Sequence, residues 1–162
     1  METLLIMTIL LHVGVSALWL GSMAYSLFVV APKLPRMLAT DPDGPTAAQR
    51  VEEAQRVLAH GNRWPVVGLI GVLWGSGLGL VLLAGERPAG WWALVAAKAV
   101  LLAAATGLFW WVSWRGWPRR VFALPAELPG LACRFRRVAL LMLALVATAF
   151  TLGIVAAHPA VT

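Results

Sequence analysis

The chain has 162 residues, of which 60% are hydrophobic and 12% are charged, and its formal net charge is +6. Its mean hydropathy is +0.81, and a water-soluble domain of this length needs more polar surface to cover its core, so the composition excludes one. The basic residues lie between apolar runs, which favours contact with anionic lipid headgroups over nucleic acid. Cys133 is the single cysteine, so no internal disulfide forms.

Four apolar runs follow one another along the chain, at about residues 3–31, 64–84, 91–113 and 138–157. Each has roughly 20 residues or more, which is enough for a helix to cross a hydrocarbon core of about 30 Å. A cleavable signal peptide is the alternative for the first run, but the run is too long and Glu2 replaces the expected basic start. We therefore predict an all-α integral membrane protein with a single domain over 1–162, folded as a four-helix up-down transmembrane bundle.

The first loop is predicted to contain structure of its own. Residues 41–45 read as a turn, and Thr46 is placed to cap a short amphipathic cytoplasmic helix. Gly61 and Asn62 are predicted to end that helix, and Pro65 suits an early position in the second membrane helix. We expect this segment to lie on the membrane surface.

Small residues recur along the second membrane helix. Their spacing of three and four places them on one face, where a neighbouring helix can approach closely. Helix packing is the plainer interpretation of this face, and contact with the flat edge of a cofactor is the alternative. The residues are Gly68, Gly71, Gly75 and Gly79.

The basic side chains predict the orientation in the membrane. The second loop contains only Arg87 beside Glu86, and the tail after His158 has no basic residue. The positive-inside rule then places the first and third loops in the cytoplasm and both termini on the non-cytoplasmic side. The basic residues of those two loops are Lys33, Arg36, Arg50, Arg56, Arg63, Arg115, Arg119, Arg120, Arg134, Arg136 and Arg137.

Polar residues within the apolar runs identify a candidate site. His12 and Lys98 both lie at a depth of roughly 10–13 Å from the outer surface, counted by helix rise. Ser76, Thr148 and Thr151 fall at the same level, so four helices contribute polar atoms to one layer. Polar groups are costly inside a bilayer, which favours a functional role. The plainer alternatives are a hydrogen bond from His12 to a neighbouring hydroxyl and a Lys98 that extends to the headgroups.

His158 ends the fourth helix at the outer surface. It is either a second metal ligand near His12 or an interfacial histidine. On the first helix, Trp19 and Met23 share the face of His12, where packing is the plainer role. The sequence has no HExxH, CxxC, P-loop or nucleophile-elbow motif, so hydrolase and nucleotide chemistry are unsupported.

Three segments resemble the copper resistance protein D (CopD) superfamily: LLHVGVSALWLGSMAYSLFVVAPKL, RWPVVGLIGVLWGSGLGLVLL and WWALVAAKAVLLAAATGLFWW. The related HemJ-type protoporphyrinogen oxidases also have a histidine in the first helix and a lysine in the third. The resemblance implies that His12 is an axial ligand to b-type haem and that Lys98 is functional. It also implies that the membrane is a cell inner (plasma) membrane. The first helix ends in VVAPKLPR and lacks the tyrosine-leucine-proline-arginine string of HemJ proteins.

Two functions follow as hypotheses. The first is a haem or tetrapyrrole redox protein in which His12 ligates iron and Lys98 pairs with a carboxylate. This hypothesis includes activity as an oxidoreductase. Its electron partner is then a quinone or another membrane redox protein. The second is copper binding or import through His12 and His158, since imidazole and thioether suit copper. An assembly subunit without chemistry of its own is the remaining function. Formation of a homo-oligomer is left open under each hypothesis.

Overall fold

The computed structural model describes residues 2–38, 47–124 and 126–157, without the side chains of 35–38, 47–49, 51, 55 and 58–62. This part of the chain is almost entirely helical and contains no strand. Its elements in order are α1 (Glu2–Tyr25), a π turn (Ser26–Val30), α2 (Ala31–Leu38), α3 (Ala47–Leu83), α4 (Ala89–Trp111), a second π turn (Val112–Gly116), α5 (Trp117–Val121) and α6 (Leu128–Ala156).

Four helical stretches are long and apolar enough to cross a membrane, which confirms the all-α membrane prediction. They are Glu2–Leu34, Arg63–Leu83, Ala89–Val121 and Leu128–Ala156, named here the first to fourth spans. At most 17% of the most apolar stretch of any span is buried inside the chain. The remaining apolar surface is far larger than a water-soluble monomer exposes, so it requires lipid.

The first and third spans are longer than predicted because each continues through a π turn just before a proline. In the first span the amide of Ala31 donates to the carbonyl of Ser26, five residues back. The next carbonyl, that of Leu27, would pair with the amide of Ala31 or of residue 32. Ala31 is already used and Pro32 has no N–H, so the wider turn lets the helix continue past the proline.

The π turn of the third span repeats this arrangement. The amide of Trp117 donates to the carbonyl of Val112, and Pro118 has no N–H to offer the carbonyl of Ser113. Arg63 takes the place of the missing amide, since its Nη2 donates to the Ser113 carbonyl oxygen at 2.6 Å. The second and third spans are thereby joined at this end.

The predicted end of the amphipathic helix in the first loop is wrong. The amphipathic helix was expected to end at Gly61 and Asn62, but α3 runs without a break from Ala47 to Leu83. A glycine or asparagine inside a helix costs only about 1 kcal/mol or less relative to alanine. The start of α3 is also held by Arg120, whose Nε and Nη2 each donate to Glu52 at 2.8 Å. The predicted turn at 41–45 and the cap at Thr46 lie outside the described residues.

The first span packs against the second and the fourth, and the third packs against the fourth. Within the described residues, the second and third spans scarcely contact each other, apart from bridges such as Trp74 Nε1 to Thr106 Oγ1 at 3.4 Å. Every span contributes to one buried apolar cluster. Its members are Trp19, Ile70, Leu73, Ala105 and Val146.

The small-residue face of the second span is only partly used for packing. A Cβ added at Gly79 would meet Thr8 of the first span at 3.6 Å, but one added at Gly68, Gly71 or Gly75 would meet nothing within 4 Å. The first helix therefore does not lie in the predicted groove. It packs on the face of Ile70 and Leu73, because larger side chains there fill the core.

Candidate functional site

His12 lies inside the bundle, where only 7% of its surface is exposed. It is seven residues before Trp19, and seven steps of about 100° bring a helix back to nearly the same face. These two are the buried residues of α1. The face of the first helix that forms the apolar core therefore also turns the imidazole inward.

Ser76 of the second span holds one side of the imidazole. The distance from His12 Nδ1 to Ser76 Oγ is 2.8 Å, and Ser76 Oγ also donates to the Val72 carbonyl oxygen at 2.6 Å. A hydroxyl has a single hydrogen, so the ring N–H at Nδ1 is the donor to Ser76. Nε2 is then the nitrogen with the free lone pair.

Lys98 of the third span lies on the other side of the imidazole. Its Nζ is 3.3 Å from His12 Nε2, so the ammonium donates a hydrogen bond to the lone pair. The sequence alternative in which Lys98 extends to the headgroups is not the arrangement in the structure. The ammonium points across the bundle to the first span.

The fourth span contributes space to the site. A Cβ added at Gly153 would lie 2.8 Å from Lys98 Nζ and 3.2 Å from its Cε. Only a residue without a side chain leaves room there for the lysine. Gly77 has a similar role beside the imidazole, since a Cβ added there would lie 3.3 Å from His12 Cε1.

The site forms a chain of hydrogen bonds from Lys98 through His12 to Ser76. Two positive charges 3.3 Å apart would repel strongly in a low dielectric, so the two groups do not both carry a charge. No carboxylate contacts it within the described residues. The arrangement can therefore transfer a proton between two nitrogens and attract an anion.

Of the predicted site residues, His12, Ser76 and Lys98 come together, and the fourth-span threonines do not join them. Thr148 and Thr151 are exposed, and the Thr151 hydroxyl donates to the Ala147 carbonyl oxygen of its own helix. Relative to Gly153, which faces Lys98, Thr148 is turned by about 140° and Thr151 by about 160°. His158 lies outside the described residues.

The described part of the chain contains no preformed cluster of metal ligands. No three His, Cys, Asp or Glu side chains there form a group that could hold a metal ion. The thioether of Met7, a ligand type that suits copper, is exposed on the first helix. Sequence reasoning missed Gly153 because a glycine has no polar atom, and the only signal was its position on the helix face that also carries Val146 and Ala149.

Gly153→Ala is expected to move Lys98 away from His12 and leave the fold intact, because alanine favours a helix over glycine by about 1 kcal/mol. The added methyl would occupy the space of Nζ. Loss of one hydrogen bond corresponds to about a three- to tenfold rise in the acylation rate of Lys98. Peptide mass spectrometry measures this rate, with Lys33, the other lysine, as internal reference.

The control for this variant is Gly107→Ala, since a Cβ at Gly107 of the third span meets nothing within 4 Å. It should leave the Lys98 rate unchanged. Equal rates in the two variants would contradict the close approach of Lys98 to Gly153.

In comparisons with known proteins, no family model, curated protein or solved structure matches this chain. The site is therefore interpreted from its own residues and from the motifs described above.

Proposed function

We propose that this chain is a membrane redox protein that binds b-type haem or another tetrapyrrole at a site formed by His12, Ser76 and Lys98. The observation that carries the proposal is an imidazole held at Nδ1 by a hydroxyl, with its Nε2 lone pair directed at a cation. The sequence resemblance to CopD-like and HemJ-type proteins supports the same ligand class.

The orientation of His12 suits an iron ligand, but Lys98 would have to move before iron could bind. Histidine ligands of metals usually donate their second ring N–H to a neighbouring group, which fixes the tautomer. His12 has this arrangement, with Ser76 as the acceptor. Lys98 Nζ stands beside the lone pair that would bind iron, so the flexible lysine chain must turn away when a haem is bound.

Lys98 has a second use in this proposal. A half-buried ammonium with no described carboxylate in contact is costly in a membrane unless it meets an anion. Tetrapyrroles carry carboxylate side chains, and one of these would pair with the displaced ammonium. Lys98 would then orient the ligand, while His12 holds its centre.

Haem would supply one-electron transfer, and the chain supplies an imidazole held by Ser76 inside the bundle. A quinone or another membrane redox protein is the proposed electron partner. We further propose an up-down bundle with both termini on the non-cytoplasmic side, from the distribution of basic residues. The plasma membrane is proposed from the resemblance to CopD-like proteins. The site then lies in the outer half of the bilayer.

The experiment that tests the function is a reduced-minus-oxidised absorption spectrum of the detergent-purified protein, with metal analysis of the same sample. A Soret band with sharp reduced α and β bands is expected after expression with haem supply or after titration with haem. A colourless protein with stoichiometric copper would contradict haem binding and support copper binding instead. A protein that takes up neither would favour an assembly role.

Ser76→Ala is expected to weaken haem binding about 10- to 100-fold, the usual effect of losing the group that orients a ligating histidine. The measurement is a haem titration followed by absorbance. Ser22→Ala is a matched control, because the exposed Ser22 hydroxyl donates to the Trp19 carbonyl oxygen of its own helix. If both variants bind haem as the wild type does, Ser76 does not orient a ligand.

A further inference from the structure

The end of the bundle formed by the first and third loops has a large excess of positive charge. The two loops contain eleven basic and five acidic residues. Two of the acids are already paired, Glu52 with Arg120 and Glu53 with Arg56. The remaining basic side chains therefore outnumber the carboxylates available to neutralise them, and an external anion is favoured there.

Arg63 is a half-buried cation at this end of the bundle. Its guanidinium lies over the ring of Trp114, 5.0 Å from the centroid, and its Nη2 donates to the Ser113 carbonyl oxygen at 2.6 Å. Its Nε is buried and has no hydrogen-bond partner among the described residues. A buried N–H without an acceptor is costly, which indicates that an acceptor is missing.

A second guanidinium lies against another indole of the third span. Arg134, in the first turns of α6, lies over Trp111 at 5.0 Å from the ring centroid. Trp111 and Trp114 are three residues apart on the third span, and Trp114 stacks on Trp110 with centroids 3.9 Å apart. Two cations of different spans are thus held against one run of indoles by cation–π contacts.

We propose that these residues, the Arg–Trp cluster (Arg63, Arg134, Trp110, Trp111 and Trp114), bind the phosphate group of an anionic lipid. Neither arginine contacts a carboxylate in the described part of the chain. A guanidinium presents several N–H donors in a plane, which suits phosphate oxygens. Arg63 supplies a free Nε–H for one of them.

The position of the cluster favours a lipid over a soluble phosphate. Arg63 directly precedes the apolar run that begins at Trp64, so its guanidinium is expected where the apolar stretch meets the headgroup region. Trp110 and Trp64 beside it are 55% and 71% exposed. Exposed indoles next to paired cations match a ligand with an anionic head and an apolar tail. This inference does not depend on the cofactor.

The test is binding of phosphatidylglycerol to the full chain in phosphatidylcholine nanodiscs, measured by native mass spectrometry as the retained lipid. The wild type should retain phosphatidylglycerol in preference to phosphatidylcholine. Arg63→Gln is expected to lower its affinity about fivefold, since each arginine near an anionic surface contributes about 1 kcal/mol. Arg134→Gln is the second variant, to be measured if Arg63→Gln does not fold, and we expect a loss of affinity of similar size from it.

Arg56→Gln is the matched control, because it removes the same charge from the same end at a residue already paired with Glu53. It should leave lipid retention nearly unchanged. An equal loss in this variant would show diffuse surface charge and overturn the proposal. So would equal retention of both lipids, or binding of inorganic phosphate at Arg63 without binding of phosphatidylglycerol.

Discussion

His12→Ala is expected to abolish tetrapyrrole binding while the four spans stay inserted and helical. In the described residues the site offers no second imidazole that could replace His12, and Lys98 and Ser76 would both lose their shared partner. The measurement is the Soret band after haem titration, with circular dichroism and the size-exclusion profile as controls for folding. This is the largest functional effect that we predict, because the proposed ligand itself is removed.

His12→Gln separates ligation from hydrogen bonding. The glutamine amide has both a donor and an acceptor, so it is able to keep contact with Ser76 and Lys98 but does not replace imidazole as an iron ligand. We expect it to fold at least as well as His12→Ala and to bind no haem. Full cofactor retention in either variant would exclude His12 as an essential ligand, whatever the role of Lys98.

Trp19→Ala is expected to cause the largest loss of stability. Trp19 is 1% exposed and contacts the apolar cluster to which all four spans contribute. In a bilayer the transfer of apolar atoms from lipid to protein gains little, so the cost arises from lost packing. A cavity the size of most of an indole would cost on the order of 3 kcal/mol at about 24 cal/mol per Å³.

The measurement for Trp19→Ala is the midpoint of denaturation in a fixed detergent micelle. Trp64→Ala is the matched control, since that indole is largely exposed and its removal leaves no internal cavity. It should leave the midpoint nearly unchanged. A Trp19→Ala protein as stable as this control would mean that the spans repack around the missing ring.

The membrane spans were predictable because hydropathy is a local property. A run of apolar residues as long as the bilayer is thick has few alternatives to a helix. The ends of the spans were less predictable. The first and third runs were predicted to end at residues 31 and 113, but one π turn before Pro32 and one before Pro118 let the helices continue. At Pro118 the compensation comes from Arg63, a residue of another span.

The candidate site was likewise predicted only in part from the sequence. Counting helix rise from the outer surface placed His12, Ser76 and Lys98 at one level, and the structure brings these three together. The same count included Thr148 and Thr151, which are turned towards the outside of the bundle. Depth follows from position along one helix, but the direction of a side chain depends on how that helix is rotated against its neighbours.

The sequence by itself determined that this chain is helical and apolar enough to span a membrane, and that its imidazole and ammonium lie at one depth of the bundle, because both follow from local hydropathy and helix rise. Only the tertiary structure decided which residues meet at that depth. It turned Gly153 and not a threonine towards Lys98, and it joined Arg63 to a carbonyl of another span. The physical reason is that helix rotation is set by packing among all four spans, where a glycine without a side chain decides the approach of a lysine.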